Sequence, residues 1–297
     1  MNALPQTPAD EERLSIAEVL SNSWDTLMEA PLKYSLVCLT GGLLQILLTY
    51  LFSRSLLTIE GAAVSPALLA SMAGTAYLYW LSYMLYAVIL AGLVSYMAFQ
   101  SMTGNDPSPF EAIKRVLSRL FELLCFFVLL VMIFIGVGLF SGLAGSALNK
   151  LMSVMFGQSI IGMLMTNILA LIFIVGFYGH VITSLSLSAQ LCVIEKTGAF
   201  ASLKRSSALT KNDRLRIFGI MMLVFLAVII ISLLLGSISQ LITSLSNTLG
   251  VVFGVVTLLL IHSLPMAFAY IVPSVTLYQL LVNKENFNHD GLAEIFD

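Results

Sequence analysis

Long uncharged runs alternate with short charged ones along this chain. Residues 34–53, 61–105, 123–149, 151–194 and 217–283 contain no Asp, Glu, Lys or Arg. About 20 apolar residues suffice to cross a bilayer, and a charge at its centre costs about 2.5–3.5 kcal/mol. The uncharged runs therefore bound the membrane spans. The first and third hold one span each, and the last is long enough for two.

The second run opens with GAAVSPALLASMAGT, small, proline-broken and weakly apolar, which predicts a short interfacial helix before a single span. Residues 151–162 read the same way ahead of the fourth span. The expectation is an all-α polytopic membrane protein with six spans near 34–54, 77–103, 120–143, 164–194, 216–237 and 250–282. A tail over 1–14 precedes one membrane domain over 15–283, and a second tail covers 284–297.

An even number of spans puts both termini and the basic connections on one face. That face collects Arg13, Lys33, Lys114, Arg115, Arg119, Lys196, Lys204, Arg205, Lys211, Arg214, Arg216 and Lys284, against Arg54 and Lys150 opposite. The positive-inside bias makes it cytoplasmic, in a bacterial inner membrane.

The basic connections have their own periodicity. In SIAEVLSNSWDTLM, residues Ile16, Val19, Leu20, Trp24 and Leu27 recur at helical spacing, and Ser15 with Glu18 has the form of a capping box. In PFEAIKRVLSRLFELL, residues Phe110, Ile113, Val116, Leu117 and Leu120 are expected on one face, with Lys114, Arg115 and Arg119 toward water or phosphate. Each stretch reads as an amphipathic elbow helix that lies in the interface and launches the next span.

The third elbow, between Glu195 and Phe218, is the most basic. Matching Lys114-Arg115 to Lys204-Arg205 sets an offset of 90, which brings Gln100 onto Gln190, and Gln279 lies 89 further on. A threefold repeat follows, with units of about 15–105, 106–197 and 198–283. The glutamines are expected to bond neighbouring elbows.

Composition agrees with this class. Hydrophobic residues make up 59% of the 297 and charged ones 10%, against about 25% charged in soluble domains. Residues 1–33 lack the apolar core and cleavage site of a signal peptide. Cys38, Cys125 and Cys192 have no metal or disulfide spacing and read as packed thiols.

Candidate chemistry is sparse. Lys204, Arg205, Lys211, Arg214 and Arg216, with Ser202, Ser206, Ser207 and Thr210 between them, form a cluster suited to anionic lipid headgroups. Lys114, Arg115 and Arg119 extend it, although cations of this kind also serve only to fix topology. His180, with Thr183, Ser184 and Ser188, and His262 are polar groups inside spans, which mark proton or substrate paths in transporters and otherwise pack. Pro265 and Pro273 break or kink the last span.

Gly138 with Gly142, and Ser141 with Gly145, allow close helix packing, within the chain, with a membrane-protein partner or with a second copy. No aromatic platform or broad basic face suits nucleic acid. No metal or cofactor motif and no catalytic set is present, so no metal, no cofactor and no enzymatic activity are expected.

The run VIEKTGAFASLKRSSALTKNDRLRIFGIMML resembles a signature of the six-helix membrane domain attached to some glycerophosphodiester phosphodiesterases, and of related stand-alone bacterial inner-membrane proteins. The matching residues are Glu195, Gly198, Leu203, Arg205, Ser206, Leu209 and Thr210, and Ile295-Phe296-Asp297 is similar to that family's C-terminus. The resemblance implies the six-helix architecture and the inner membrane. It implies no catalysis, because the phosphodiesterase chemistry belongs to a separate barrel absent from this chain. The expected function is engagement of membrane lipids at the elbows, for lipid handling or envelope scaffolding. The alternative is a small-molecule or ion transporter built on the broken sixth span and the histidines.

Overall fold

The computed structural model describes residues 14–57, 66–156 and 179–285, with Met165, Ile168, Leu169 and Gly176 between the last two segments. The described residues contain helices and no strand. In chain order these are α1 (Ile16–Glu29), α2 (Pro31–Leu57), α3 (Pro66–Met102), α4 (Pro109–Ser118), α5 (Leu120–Phe156), α6 (Ser188–Ile194), α7 (Ala199–Leu209), α8 (Arg214–Leu245), α9 (Asn247–Ile261) and α10 (Leu264–Glu285). The elbows are α1, α4 and α7, each directly ahead of a long apolar helix.

Local signals explain where the elbows begin. Ser15 stands at the N-cap of α1 with Glu18 in the first turn, yet its side chain makes no capping bond, so the expected box is present in position only. At α4 the box is complete by a different route. Ser108 Oγ accepts from the Glu111 amide, Pro109 fills the first helical position, and Gln100 Oε1 accepts from the Ser108 amide at 3.0 Å. Gln100 Nε2 donates to Glu111 Oε2 at 2.7 Å, so a side chain from the end of α3 takes the N–H that Glu111 would otherwise reach. Gly104, at φ 80°, provides the left-handed residue that closes α3 before this turn.

α3 and α10 form the centre of the packing. They meet at Ser274 Oγ, which donates to Ser95 Oγ at 2.8 Å, and at an edge-to-face contact of Phe99 with Tyr278. α1 crosses α10, with Trp24 against Phe268 at 6.2 Å. α2 flanks α3 through Thr40 and Tyr86, whose hydroxyls lie 2.5 Å apart. α6 lies on the other side of α3, fully buried, and a Cβ on Gly92 would come within 2.9 Å of Val193. α8 and α9 form a tight hairpin through Ser246.

The core gathers at the elbow end. Val19, Leu27, Met97, Phe99, Val116, Ile194, Ile217 and Leu281 are all buried there. Farther along, α5 and α8 bury only 17% of their most apolar stretches. Apolar side chains such as Val154, Leu233 and Leu245 are exposed, the pattern of surfaces whose solvent is lipid.

Among the described residues, five helical stretches are long and apolar enough to cross a membrane: 31–51, 74–102, 120–151, 214–245 and 247–284, the last comprising α9 and α10. Their lengths correct several expectations. α3 is continuous from Pro66, so residues 66–75 extend the same helix instead of forming a separate one, while 61–65 lie outside the described residues. α5 likewise runs unbroken to Phe156, with 157–162 outside them. Of the stretch 164–194, expected as the fourth span, the part described in full is a helical stretch over 179–185, a turn at Ser186-Leu187, and α6.

The stretch expected as the sixth span is interrupted at His262-Ser263, between α9 and α10. Pro265 sits in the first turn of α10, where a missing N–H removes no helix bond, and Pro273 lies inside α10 without ending it. The break therefore precedes both prolines.

Candidate functional site

The third elbow is where distant parts of the chain meet. Arg205 forms a forked pair with Glu195, at 3.0–3.1 Å from both carboxylate oxygens, which ties α7 back to the end of α6. Arg216 Nη1 donates to the Leu14 carbonyl at 2.8 Å and anchors the start of the first elbow. Lys284, at the end of α10, donates to the Leu209 carbonyl at 2.6 Å and pairs with Asp213 at 2.9 Å. Both ends of the described chain thus converge on one elbow.

Arg214 turns the other way. Its Nη2 donates to the carbonyl and hydroxyl of Ser207 at 3.3 and 3.1 Å, and its Nη1 lies 3.0 Å from His180 Nε2. The two residues border a cavity of about 230 Å³ that Thr183, Leu215 and Phe218 also line. Lys204 and Lys211 point outward, exposed.

The five cations read as one headgroup cluster therefore divide. Arg205 and Arg216 hold the fold, Arg214 faces a cavity, and Lys204 and Lys211 face the surroundings. The interleaved hydroxyls are not free either. Ser202, Ser206 and Thr210 form the buried face of the elbow, with Ser206 Oγ donating to the Ser184 carbonyl at 2.8 Å.

In the second elbow Lys114 is exposed, while Arg115 lies over the Tyr96 ring at 5.7 Å. Its Nε and Nη2 are buried without hydrogen-bond partners. Arg119 pairs with Glu122 at 2.9 Å. Ala112 and Val116 face the core, whereas Phe110, Ile113 and Leu117 are exposed on the opposite side. Phe121, at the start of α5, continues that outer stripe. The expected face is thus split, with Val116 inside. α1 divides similarly, Val19 and Leu27 inward, Ile16 and Trp24 exposed. Lys33 pairs with Asp106 at 2.5 Å and joins the first two elbow regions.

Glu29, at the end of α1, accepts from the Ser101 hydroxyl. Partial burial, with the Asp25 charge adding to it, pushes its carboxyl above the usual glutamate range.

The polar groups of the spans have separate environments. Ser184 Oγ donates to the His180 carbonyl at 2.7 Å, and Ser188 is buried with no partner for its hydroxyl. His262 is buried at the helix break, its Nδ1 2.9 Å from the Leu258 carbonyl and its Nε2 unpartnered. Its Cβ packs against Gly42 of α2, where an added methyl would lie 3.1 Å away. Gln100, Gln190 and Gln279 are all buried, but only Gln100 bonds an elbow. Gln190, with its amide nitrogen toward its own helix, donates to the Ser186 and Leu187 carbonyls.

A second cavity, of about 240 Å³, is an apolar groove between α3, α5 and the 181–190 segment, walled by Met84, Val88, Phe126, Phe134 and Leu185. Among the described residues no cluster of three or more His, Cys, Asp or Glu side chains is arranged for a metal, and Cys38, Cys125 and Cys192 are free thiols.

The contacts of His180 with Arg214 and of Lys284 with Asp213 were not anticipated from the sequence, whereas a bond from Gln100 to a neighbouring elbow was, without its partner Glu111. Gln100 was marked by its place in the repeat and had a partner eleven residues on. The others join residues separated by 34 and 71 positions, with no local pattern to pair them.

The fold and the exposed apolar helices define a multi-pass helical membrane protein. Compared with protein-family models, curated proteins and solved structures, the chain matches none of them.

Proposed function

We propose that this chain is a non-enzymatic inner-membrane protein whose elbow helices lie in the cytoplasmic interface and engage anionic lipid headgroups, in lipid handling or envelope scaffolding. The observation that carries the reading is the outer face of α4. Phe110, Ile113 and Leu117 are exposed in one stripe while Ala112 and Val116 fix the helix to the core, and Lys114 stands beside the stripe. An apolar stripe with a flanking cation is the form of a helix lying at the headgroup boundary. Lys204 and Lys211 add exposed charge on the third elbow, and each cation near an anionic surface contributes about 1 kcal/mol.

The proposal includes six spans, both termini cytoplasmic, a threefold repeat, and kinship with the membrane domain of the phosphodiesterase family. In support, a short helix directly ahead of a long apolar one occurs at α1–α2, α4–α5 and α7–α8 among the described residues, and Leu14 and Lys284 contact the same elbow, as expected for an even number of crossings.

Tryptophan at position 110 tests the interfacial placement. In a Trp24→Phe, Trp80→Phe background, Phe110→Trp fluorescence is quenched by lipids brominated high on the acyl chain. An indole quenched only by aqueous iodide contradicts the reading.

A second reading rests on His262. A buried imidazole nitrogen without a partner, at a helix break, is the kind of group that lines ion paths in transporters. Reconstituted vesicles that show no His262-dependent proton or ion flux remove this alternative.

A further inference from the structure

We propose that the cavity between His180 and Arg214 binds the phosphate group of an anionic amphiphile, a deeper form of the lipid reading, on which it rests. The cavity measures about 230 Å³. Pockets for drug-sized ligands run to about 300–1,000 Å³, so the space suits a headgroup and excludes a whole lipid.

Its chemistry is cationic. Arg119 has Glu122 and Arg205 has Glu195, but the partners of Arg214 include no carboxylate, being a serine carbonyl and hydroxyl and an imidazole. An arginine only donates, so His180 Nε2 accepts in this arrangement. A phosphate oxygen is a stronger acceptor for the same guanidinium and binds it in a fork. When phosphate takes the Arg214 Nη1 donor, the imidazole is released to donate from its own N–H to a second oxygen.

The surroundings favour the anion. Arg214 and Leu215 open α8, whose N-terminal end carries positive dipole charge. The nearest acid in sequence, Asp213, is matched by Lys284 at 2.9 Å. Apolar walls complete the amphiphile's requirement. Leu215 is 86% exposed and leads outward from the cavity. Phe218 packs against Gly179, where a Cβ would stand 2.7 Å from its ring. Phosphate then sits at Arg214 and His180, and the chain it carries leaves past Leu215.

The test is calorimetric titration of the full-length chain in neutral detergent with dihexanoyl phosphatidic acid and, separately, with inorganic phosphate. The wild type binds the lipid analogue at least about tenfold more tightly than phosphate. Arg214→Gln and His180→Ala each weaken the analogue about tenfold or more, and Lys204→Gln/Lys211→Gln, which removes charge only from the outer face, weakens it less than either. Leu215→Glu, on an exposed wall, keeps the fold and lowers affinity by adding a carboxylate at the mouth, which covers the case in which Arg214→Gln misfolds.

Unchanged binding in folded Arg214→Gln and Leu215→Glu overturns the site. If the lysine variant alone weakens binding, headgroup engagement stands and this cavity is wrong. If no variant affects binding, both fall. Equal affinity for phosphate and the analogue overturns the amphiphile assignment in favour of a free-phosphate site.

Discussion

Gln100 and Glu111 are joined by a 2.7 Å hydrogen bond that links the end of α3 to the first turn of α4. With its other amide atom on the Ser108 backbone, Gln100 holds the second elbow at a fixed position relative to the core. Gln100→Leu keeps the volume and removes both bonds. Loss of a cap costs about 0.5–2 kcal/mol. Hydrogen exchange at residues 108–114 should accelerate, with little change in α10. Uniform exchange across the two proteins would show that the elbow is held by other contacts.

Helix packing gives a paired prediction. Gly250 of α9 approaches α8 so closely that a Cβ would lie 2.5 Å from the Thr243 Cα, a backbone atom that cannot swing aside. Gly250→Ala should destabilise the α8–α9 hairpin by about 1–3 kcal/mol, the usual cost of overpacking. Gly142 and Gly145 of α5 have no neighbour within 4 Å of their added Cβ positions. Alanine there should leave thermal stability in detergent unchanged or slightly raised, because alanine is the better helix former by about 1 kcal/mol. A large loss at Gly142 would mean that this face meets another chain.

The fold was legible in the sequence where charge alone decides. Uncharged runs located the long helices, although α2 and α5 continue past Arg54 and Lys150, and helical spacing marked α1 and α4 as elbows. Span lengths were less legible, because weakly apolar stretches such as 66–75 continue a helix as readily as they start a new one. The candidate site was legible only as composition. Lys204, Arg205, Lys211, Arg214 and Arg216 look alike in sequence, and tertiary contacts assign them different work. Glu195, ten residues before Arg205, was the one local hint that an arginine was already engaged. The break at His262-Ser263 had no punctuation of its own beyond the proline two residues later.

Glu29 provides a pH test outside the spans. Its carboxyl is pushed above the ordinary range, first by burial and then by Asp25, so the folded state holds its proton more tightly than the unfolded chain does. The stability it contributes is fully present below the ordinary glutamate range and is lost as pH rises through the folded value. Glu29→Gln keeps an acceptor for Ser101 and should flatten this part of the pH–stability curve, with higher thermal stability than wild type at neutral pH. An unchanged slope between pH 4 and 7 would remove Glu29 from the account.

The most direct measurement of headgroup engagement is the relative association of anionic and zwitterionic lipids with the reconstituted protein, read by quenching from brominated phosphatidylglycerol against brominated phosphatidylcholine. Lys114, Lys196, Lys204 and Lys211 are exposed elbow cations, and Lys114→Gln/Lys204→Gln/Lys211→Gln removes three of them without touching the Arg205, Arg214 and Arg216 contacts. Three cations at about 1 kcal/mol each set an upper limit near a hundredfold on the change. Wild-type protein should prefer the anionic lipid several-fold, lose the preference in 1 M salt, and lose at least about half of it in the triple variant. Equal association of the two lipids with wild type, at low salt and with correct insertion, would contradict headgroup engagement and leave the basic elbows as topology signals alone.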